Sequence, residues 1–371
     1  MAQVVVIGAG LMGAASTMTL SQRGHEVVTF EARHPGHRAG SSHGSSRIVR
    51  RSYAQPYFVG MTGRALELWR SLEQACGTQL LTITGGLDHG ARANASGMFT
   101  AMRRAGVSCE LMASDAAAER WPHMRFEGDV LYHGEAGVVD PELAISEMLR
   151  LARRLGARVE HGTPVVGIET SAGRTLVRTP TETLKAQTVV VAVGPWLPQL
   201  LGGLVALPPL KVTQQQVFYF ARRDDGDAGT WPVVGFDGGL SAYALPGGRD
   251  GMFEGNMKIG DHTAGRVTTA DDRDNRIDPE GRRRVVGHVH RWWPGLDPDP
   301  VAESTCLYTW TTDEDFIIDR VGSLVVCSPC SGHGAKFSPL IGEWVTDLVE
   351  NKPTPCPRFG LSRRKTGHRL S

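Results

Sequence analysis

Short apolar runs separated by glycine-rich breaks dominate the start of the chain. Val4–Ile7 and Val27–Phe30 are continuous apolar stretches, which is typical of strands buried on both faces. Between them, Gly8–Gly13 is rich in glycine, and Ala14–Arg23 has the small and apolar residues of a packed helix. This order predicts a strand, a tight turn, a helix and a second strand, which is a βαβ unit with a right-handed crossover.

The remaining pattern alternates between helical and strand-like segments. Helices are predicted for residues 53–76, 141–155 and about 339–350. Strands are predicted for residues 165–168, 175–178, 188–193 and 324–327, and the pairs Gly238-Gly239 and Gly247-Gly248 are candidate hairpin turns. The basic residues 363–371 are predicted to form a loose tail.

Elements that fit one α/β layer recur at the start, the middle and the end of the chain, and a hairpin-rich region is interleaved between them. A chain of 371 residues also makes about two domains the natural expectation. We therefore predict an α/β plus α+β fold. A Rossmann-like domain would comprise residues 1–80, 140–210 and 306–371, and a substrate domain on a mostly antiparallel sheet would comprise 81–139 and 211–305.

Composition and charge narrow the possible functions. The formal net charge of +1 gives no reason to expect a nucleic acid or an acidic membrane as a partner. The apolar runs are too short to span a bilayer. The first residues lack a basic leader and a small-residue cleavage site, so we expect a cytoplasmic protein.

The six cysteines do not suggest a disulfide framework in a chain of this length, and we expect free thiols. Cys327-Ser328-Pro329-Cys330 has the spacing of a zinc or redox motif, but no second ligand pair accompanies it. A buried strand end explains the segment more simply, with dithiol chemistry as the alternative. We therefore predict no metal site.

The glycines of the first turn have separate physical roles. Gly8 permits the tight turn, Gly10 lets backbone amides approach a pyrophosphate, and Gly13 allows close contact between helix and strand. The helix N-terminus that follows favours an anion. Glu31, at the end of the second strand, can accept hydrogen bonds from both ribose hydroxyls of an adenosine and would repel a 2′-phosphate. The unit predicts a dinucleotide site but leaves FAD and NAD open.

Several later blocks carry a resemblance to a known family. They are Gly40–Arg50 (GSSHGSSRIVR), Asn256–His262 (NMKIGDH), Cys306–Tyr308 (CLY) with Asp313–Asp319 (DEDFIID), and Ser331–Phe337 (SGHGAKF). In this order they resemble the monomeric sarcosine oxidase and N-methyltryptophan oxidase family of FAD-dependent amine oxidases. The matches run from residue 4 to about residue 362.

This resemblance implies an FAD cofactor joined through a thioether from Cys306 to the flavin ring. A tether of this kind needs a thiolate, and Arg47 and His43 would help to form one. The ordinary alternative for Cys306 is a small buried apolar residue. The further cofactor-binding positions implied by the resemblance are Ser41, Ser46, Arg47, Val165, Gly332, Gly334 and Lys336.

The same resemblance assigns the substrate-facing residues. Arg50 and Lys336, with Gly332 beside them, are similar to the group that holds the substrate carboxylate, because Arg offers a fork and Lys a point charge. Lys258 resembles the residue that activates oxygen. The chain has only six lysines, so lysine at positions 258 and 336 indicates a specific chemical role rather than generic positive charge. Tyr243, Tyr308 and His262 resemble the wall around the substrate amine, and either tyrosine could instead be a packing residue.

The reaction implied is the oxidation of the C–N bond of a secondary or cyclic amino acid to an imine, with oxygen reduced to hydrogen peroxide. The alternatives are an FAD-dependent amino-acid dehydrogenase and a tailoring amine oxidase with a larger substrate. Ala335 and other departures from the family pattern leave the individual substrate open. We expect a monomer or a small homo-oligomer.

Overall fold

The computed structural model describes residues 2–171, 174–223, 231–251, 255–263, 265–353 and 356–362. It contains eight α-helices within these residues. They are α1 (Leu11–Gln22), α2 (Pro56–Cys76), α3 (Ala95–Arg104), α4 (Ser114–Arg120), α5 (Pro141–Arg154), α6 (Leu197–Leu201), α7 (Pro279–Trp292) and α8 (Ser338–Val349).

Twenty strands lie in the same described ranges. The first ten are β1 (Ala2–Ile7), β2 (Val27–Phe30), β3 (Arg47–Val49), β4 (Leu81–Ile83), β5 (Gly86–His89), β6 (Cys109–Met112), β7 (Val130–His133), β8 (Gly137–Val139), β9 (Arg158–Glu160) and β10 (Gly167–Ser171). The others are β11 (Arg174–Arg178), β12 (Thr183–Val191), β13 (Leu210–Phe220), β14 (Val233–Asp237), β15 (Ser241–Pro246), β16 (Met257–Asp261), β17 (Arg266–Val267), β18 (Ala302–Thr311), β19 (Ile317–Val321) and β20 (Leu324–Ser328).

The predicted βαβ unit is the centre of an eight-stranded sheet. Strand β1 pairs in parallel with β2 and β12, and the order is β10-β11-β12-β1-β2-β9, with β20 on β12 and β19 on β20. Val4 and Val6 face α1, α5 and α8, whereas Val5 and Ile7 face the opposite layer around α6. Each fully buried valine contributes about 1.5–3 kcal/mol through this burial, so both faces stabilise the strand.

A nine-stranded sheet forms the second layer. Its order is β17-β13-β16-β15-β14-β5-β7-β6, with β18 paired to β13 from Leu210↔Thr311 to Tyr219↔Ala302. All of its pairings are antiparallel except the parallel pair β14 and β5. A small sheet of order β3-β8-β4 completes the structure. The predicted combination of a Rossmann-like layer with a mostly antiparallel sheet is therefore confirmed.

Element boundaries deviate from the prediction for local reasons. Helix α1 starts at Leu11, three residues before the predicted start, because Gly10 is its N-cap. Helix α2 starts at Pro56 rather than residue 53, since the residue before a proline prefers an extended backbone, as Gln55 does at φ −87° and ψ 119°. The predicted strand at 165–168 was wrong by two residues. It begins at Gly167 and leaves Val165 in a loop.

Other boundaries agree more closely. Strand β20 and helices α5 and α8 match their predictions to within one residue, and Gly238-Gly239 joins the antiparallel strands β14 and β15. Gly247-Gly248 directly follows β15, in the connection to its antiparallel partner β16. Strand β12 begins at Thr183 and ends at Val191, before the predicted end at 193. The predicted tail lies outside the described residues.

The predicted division of the chain into two domains stays a prediction at those bounds. Strand β18 spans residue 306, where one predicted segment begins, and the whole strand lies in the nine-stranded sheet. Among the described helices, none has the length and apolar character needed to cross a membrane.

Candidate active site and cofactor groove

The glycine-rich turn after β1 opens a groove at the N-terminus of α1. Gly8 has a φ of +94°, and a Cβ there would come within 3.0 Å of the Ala192 carbonyl carbon. Gly13 faces inward, where a Cβ would collide with the Gly8 carbonyl, so its role is the predicted close contact of helix and strand. Gly10 is the N-cap of α1 and makes no side-chain hydrogen bond to the helix start, while the Ser42 hydroxyl accepts one from Leu11 N at 3.1 Å. The positive end of the helix dipole lies at the groove, which favours an anion there.

Glu31 connects the end of β2 to this turn. Its Oε2 accepts a hydrogen bond from Ala9 N at 2.8 Å, and its Oε1 accepts one from Arg33 N at 3.0 Å. The His37 ring nitrogen lies 3.6 Å from Oε1. The carboxylate therefore lines the groove and is held by backbone amides, and its contact with a ribose stays a prediction.

One cavity of about 1680 Å³ joins this groove to a buried polar site between the two large sheets. On its wall, Ser41 Oγ and His43 Nε2 are buried without a hydrogen-bond partner in the described part of the chain. A helix N-terminus and unpartnered polar atoms along the wall fit a long polar ligand such as FAD. The predicted cofactor residues lining the cavity are Gly8, Gly10, Glu31, Ser41, Ser46, Arg47, Val165, Cys306, Gly332, Gly334 and Lys336.

Lys258 lies in β16 with only 5% of its surface exposed. Its Nζ is 3.7 Å from Asp250 Oδ2 and 5.5 Å from the centre of the Tyr219 ring. Burial and the nearby Arg47 lower the pKa of Lys258 to about 8, and Asp250 opposes this shift. Lys258 is therefore a buried cation that loses its proton just above neutral pH.

Asp250 is the carboxylate that accompanies Lys258. It accepts hydrogen bonds from the Ser45 backbone N at 2.8 Å, the Ser45 hydroxyl and the Tyr219 hydroxyl. Burial alone would raise the pKa of Asp250, but Lys258 and these hydrogen bonds lower it overall. The carboxylate is thus fixed in its ionised form beside the lysine.

Arg47 lies at the start of β3 and holds the preceding loop. Its guanidinium donates to the carbonyls of Ser41 at 3.1 Å, His43 at 2.6 Å and Ser46 at 2.8 Å. Burial, followed by the charges of Arg47 and Lys258, lowers the pKa of His43 to about 3. The loop therefore faces the cavity with a fixed cation and a neutral imidazole.

Cys306 lies in β18 and is 9% exposed, on the same cavity wall. Burial raises the pKa of its thiol, while Arg47, Lys258 and Arg273 act in the opposite direction. The predicted assistance of thiolate formation by His43 stays a prediction; its imidazole is neutral, so it adds no positive charge beside the thiol. Arg47 favours the thiolate, but the effect of burial on the pKa of the thiol is larger.

An aromatic group forms the wall between the two sheets. Tyr243 of β15 and Tyr308 of β18 share a hydrogen bond through their hydroxyls, and burial raises the pKa of both. The His262 ring centre lies 5.7 Å from that of Tyr308 and 5.2 Å from that of Trp310. Burial lowers the pKa of His262 to about 4, helped by the charges of Arg50 and Lys336. This wall is neutral at physiological pH.

Lys336 faces the same cavity from a 3₁₀-helix at Ala335–Phe337. It is 5% exposed, and its Nζ donates to the Tyr53 hydroxyl at 3.0 Å and to the His333 carbonyl at 2.7 Å. Burial and the charge of Arg50 lower its pKa well below the ordinary value. Both hydrogen-bond acceptors are uncharged, so an anionic ligand would strengthen the charged form.

Arg50 follows β3 and points into the cavity, with 32% of its side chain accessible. Arg50 Nη1 makes an ion pair with Asp88 Oδ1 of β5, and Arg50 Cζ lies 5.7 Å from the Tyr53 ring centre. The pair is not a surface salt bridge, since Asp88 is only 4% exposed. Arg50 and Lys336 both lie near Tyr53, with Lys336 Nζ 5.6 Å from the same ring centre.

The loop from 331 to 334 closes the site against the aromatic wall. Gly332 has a φ of +76°, and a Cβ there would come 2.7 Å from Tyr308 Cε2. Gly334 lies so close to Pro329 that a Cβ would collide with its carbonyl. Both positions therefore require glycine for close approach.

Cys327 and Cys330, near this loop, are surrounded by protein. Cys327 lies in β20 and is 2% exposed, and Cys330 Sγ accepts a hydrogen bond from Thr309 N at 3.2 Å. Within the ranges that the structure describes, no group of three or more His, Cys, Asp or Glu side chains could hold a metal ion.

Every catalytic and substrate-binding position predicted from the sequence lines this one cavity: Lys258, Arg47, His43, Tyr243, Tyr308, His262, Arg50, Lys336 and Gly332. The sequence did not indicate four partners, namely Asp250, Tyr219, Tyr53 and Asp88. Asp250 follows a glycine turn in the hairpin before Lys258, and this proximity could have identified it. Asp88 and Tyr53 had no comparable local signal.

Comparison with known proteins gives a consistent result. Residues 3–348 match the family model described as DAO, FAD dependent oxidoreductase. The monomeric sarcosine oxidase of Streptomyces avermitilis is 31% identical, covering 95% of both chains. The N-methyl-L-tryptophan oxidase of Yersinia pestis is 28% identical, covering 97% of this chain and 98% of the relative. NikD, an amino acid oxidase essential for nikkomycin biosynthesis, superposes with a TM-score of 0.85 at 25% identity, covering 99% of both chains.

Proposed function

This chain belongs to the DAO family of FAD dependent oxidoreductases, and we propose that it is an oxidase of secondary amino acids. Its substrate class is an N-methyl or cyclic amino acid, whose C–N bond is oxidised to an imine. The relatives named sarcosine oxidase and N-methyl-L-tryptophan oxidase support this class. Neither name identifies the individual substrate of this chain.

One observation carries the proposal. A single cavity joins a dinucleotide groove to two buried lysines, Lys258 on one wall and Lys336 on the other. A neutral aromatic wall of Tyr243, Tyr308 and His262 lines the same space. The arrangement offers cationic side chains for a carboxylate, an aromatic surface for an amine substituent and a groove that would hold the nucleotide part of FAD.

The residues of the chain position the substrate for a hydride transfer. Lys336 and Arg50 hold the carboxylate, which fixes the α-carbon relative to the groove. The amine must be neutral to assist the loss of hydride, and the cations Arg47, Lys258 and Lys336 lower the pKa of a bound amine. FAD, when bound, supplies the hydride acceptor and passes electrons to oxygen, giving hydrogen peroxide.

Two residues have separate proposed roles toward the cofactor and oxygen. Cys306 would carry the covalent thioether, supported by its position on the cavity wall beside Arg47 and Lys258. Lys258, kept close to Asp250, would place positive charge where oxygen gains electrons. A cytoplasmic location and a monomer or small homo-oligomer complete the proposal.

The test begins with the purified FAD-loaded protein. After acid denaturation and proteolysis, the mass of the peptide containing Cys306 is measured, with Cys306→Ser as the matched variant. We expect the flavin mass on the wild-type peptide and its absence in C306S. A panel of N-methyl and cyclic amino acids is then screened for hydrogen peroxide.

The outcomes separate the parts of the proposal. Flavin released intact from the wild type would overturn the covalent link alone. Substrate oxidation without peroxide, but with transfer to an artificial quinone acceptor, would replace the oxidase by a dehydrogenase. Failure of every amine in both assays would overturn the proposed function.

A further inference from the structure

The ion pair between Arg50 and Asp88 is a built feature of the cavity wall. Asp88 lies in β5, directly beside Gly235 in the parallel strand β14. Its side chain is almost fully buried, while a third of the Arg50 side chain stays accessible from the cavity. The pair therefore lies at the edge of the space in which a substrate carboxylate would bind.

Gly235 makes room for this pair. A Cβ at position 235 would come 2.7 Å from Arg50 Nη1 and would collide with Asp88 Oδ1. Any other residue would displace one member of the pair, so the strand accommodates it only because this position has no side chain. The backbone at Gly235 is ordinary for a strand, and its glycine serves the close approach rather than a turn.

Lys336 is the group at this end of the cavity that a bound anion would charge. Arg50 is paired with Asp88, whereas burial and the charge of Arg50 lower the pKa of Lys336, so a carboxylate bound beside it would stabilise its protonated form. In the part of the chain that the structure describes, no carboxylate lies within 4.0 Å of Lys336 Nζ. One bound monocarboxylate would therefore neutralise the site.

We propose that Asp88 is a specificity-determining residue, which occupies Arg50 with an internal carboxylate and thereby limits the substrate to a single carboxylate group. The inference rests on the proposed function and narrows its substrate class to monocarboxylic secondary amino acids. Dicarboxylic amino acids, such as N-carboxymethyl or N-methyl acidic ones, are rejected. Lys336, with the Tyr53 hydroxyl, becomes the principal holder of the one carboxylate.

The physical basis is the cost of an unpaired buried charge. A second ligand carboxylate at this end would find Arg50 already paired and would face the Asp88 carboxylate across it. Among the described residues around the pair, no cation apart from Lys336 is left unpaired. Ser52, Tyr53, His133 and His262 are uncharged, because burial raises the pKa of Tyr53 and lowers that of both histidines. Arg51 pairs with Glu135.

The test uses a matched pair of ligands that differ by one carboxylate. Propionate and succinate are titrated into the FAD-loaded protein by isothermal titration calorimetry. We expect the wild type to bind succinate at least tenfold more weakly than propionate. In Asp88→Asn, an isosteric change that frees Arg50, we expect this ratio of Kd values to shift at least tenfold toward succinate.

A matched control removes an Asp–Arg ion pair elsewhere. Asp347→Asn breaks a 2.6 Å contact with Arg23 at the surface and removes the same charge. It should leave the ratio unchanged. A merely structural role of Asp88 would weaken both ligands alike, so only a change in their ratio supports a role in specificity.

Several results would overturn the inference. They are equal wild-type affinity for the two ligands, no wild-type binding of either, or an unchanged ratio in Asp88→Asn. If Asp88→Asn does not fold, Asp88→Ser provides the same comparison, and the wild-type ratio still decides. A shifted ratio without any amine oxidation would overturn the proposed function alone. Amine oxidation with an unchanged ratio would overturn this inference alone.

Discussion

The two buried lysines of the cavity have opposite surroundings. Lys258 has its own carboxylate, since Asp250 lies 3.7 Å away and is held by Ser45 and Tyr219. Within the described residues, Lys336 donates to neutral acceptors alone, the Tyr53 hydroxyl and the His333 carbonyl, and Arg50 adds a like charge nearby. A buried cation with a permanent counter-ion is suited to stay in place through a reaction. A buried cation without one is suited to receive an anion from a ligand.

The largest effect should come from removing the lysine that has no counter-ion. In Lys336→Met the substrate carboxylate loses its principal cation, and losing one partner of a buried charge pair costs about 2–5 kcal/mol. We therefore expect kcat/KM to fall by about 10²- to 10³-fold, measured by steady-state kinetics. Lys352→Met, which removes an exposed lysine paired with Asp347 and Glu350, is the control and should change nothing. Equal activity of K336M and wild type would remove the basis of the comparison.

Removing the other lysine should affect a different step. In Lys258→Met we expect the oxygen-dependent step to slow by about 10²-fold, because a positioned charge contributes about 2.7–4 kcal/mol where electrons arrive. Anaerobic reduction by the substrate should change much less. Stopped-flow measurements of the two half-reactions separate these effects. A loss confined to the reductive half-reaction would show that Lys258 serves the substrate instead.

The counter-ion itself gives a prediction about pH. Lys258 has a pKa of about 8, lowered mainly by burial, so its charged form prevails below pH 8 and is lost as the pH rises through that value. Asp250 raises this pKa. In Asp250→Asn the pKa falls further, and the loss of the oxygen-dependent rate should begin about one pH unit lower. A pH profile identical to that of the wild type would exclude Asp250 as the group that maintains the charge.

The smallest expected effect concerns the neutral partner of Lys336. Tyr53→Phe removes one hydrogen bond to Nζ, and a hydrogen bond to a charged group contributes about 1.5–3 kcal/mol. Because the bound carboxylate partly replaces it, we expect KM to rise only by about three- to tenfold with little change in kcat. Tyr57→Phe, an aromatic change at the start of α2, is the matched control.

The nucleotide half of the site could be predicted because its information is local. Gly8, Gly10, Gly13 and Glu31 lie within 31 residues, and each follows from the turn, the helix start or the strand end that contains it. The strands on either side are short and apolar, so their existence was also predictable. Their exact ends were not, because capping by Gly10 and the effect of Pro56 shift them.

The substrate half could be predicted only through the resemblance, and only in part. The pair of Asp88 and Arg50 needs the room that Gly235 leaves, and Gly235 lies beside Asp88 because β5 pairs in parallel with β14, a strand almost 150 residues further along the chain. The charge state of His43 also depends on the assembled fold. Burial keeps that imidazole neutral, and residue identity alone does not determine burial.

The most direct test of the account compares an amino acid with its own methyl ester. Each is added without oxygen to the FAD-loaded protein, and the loss of visible flavin absorbance is followed. We expect an N-methyl or cyclic amino acid to bleach the flavin, and its ester, which has no carboxylate for Lys336, to do so at least 10²-fold more slowly at equal concentration. Equal rates for acid and ester, or no bleaching by any amine of this class, would contradict it.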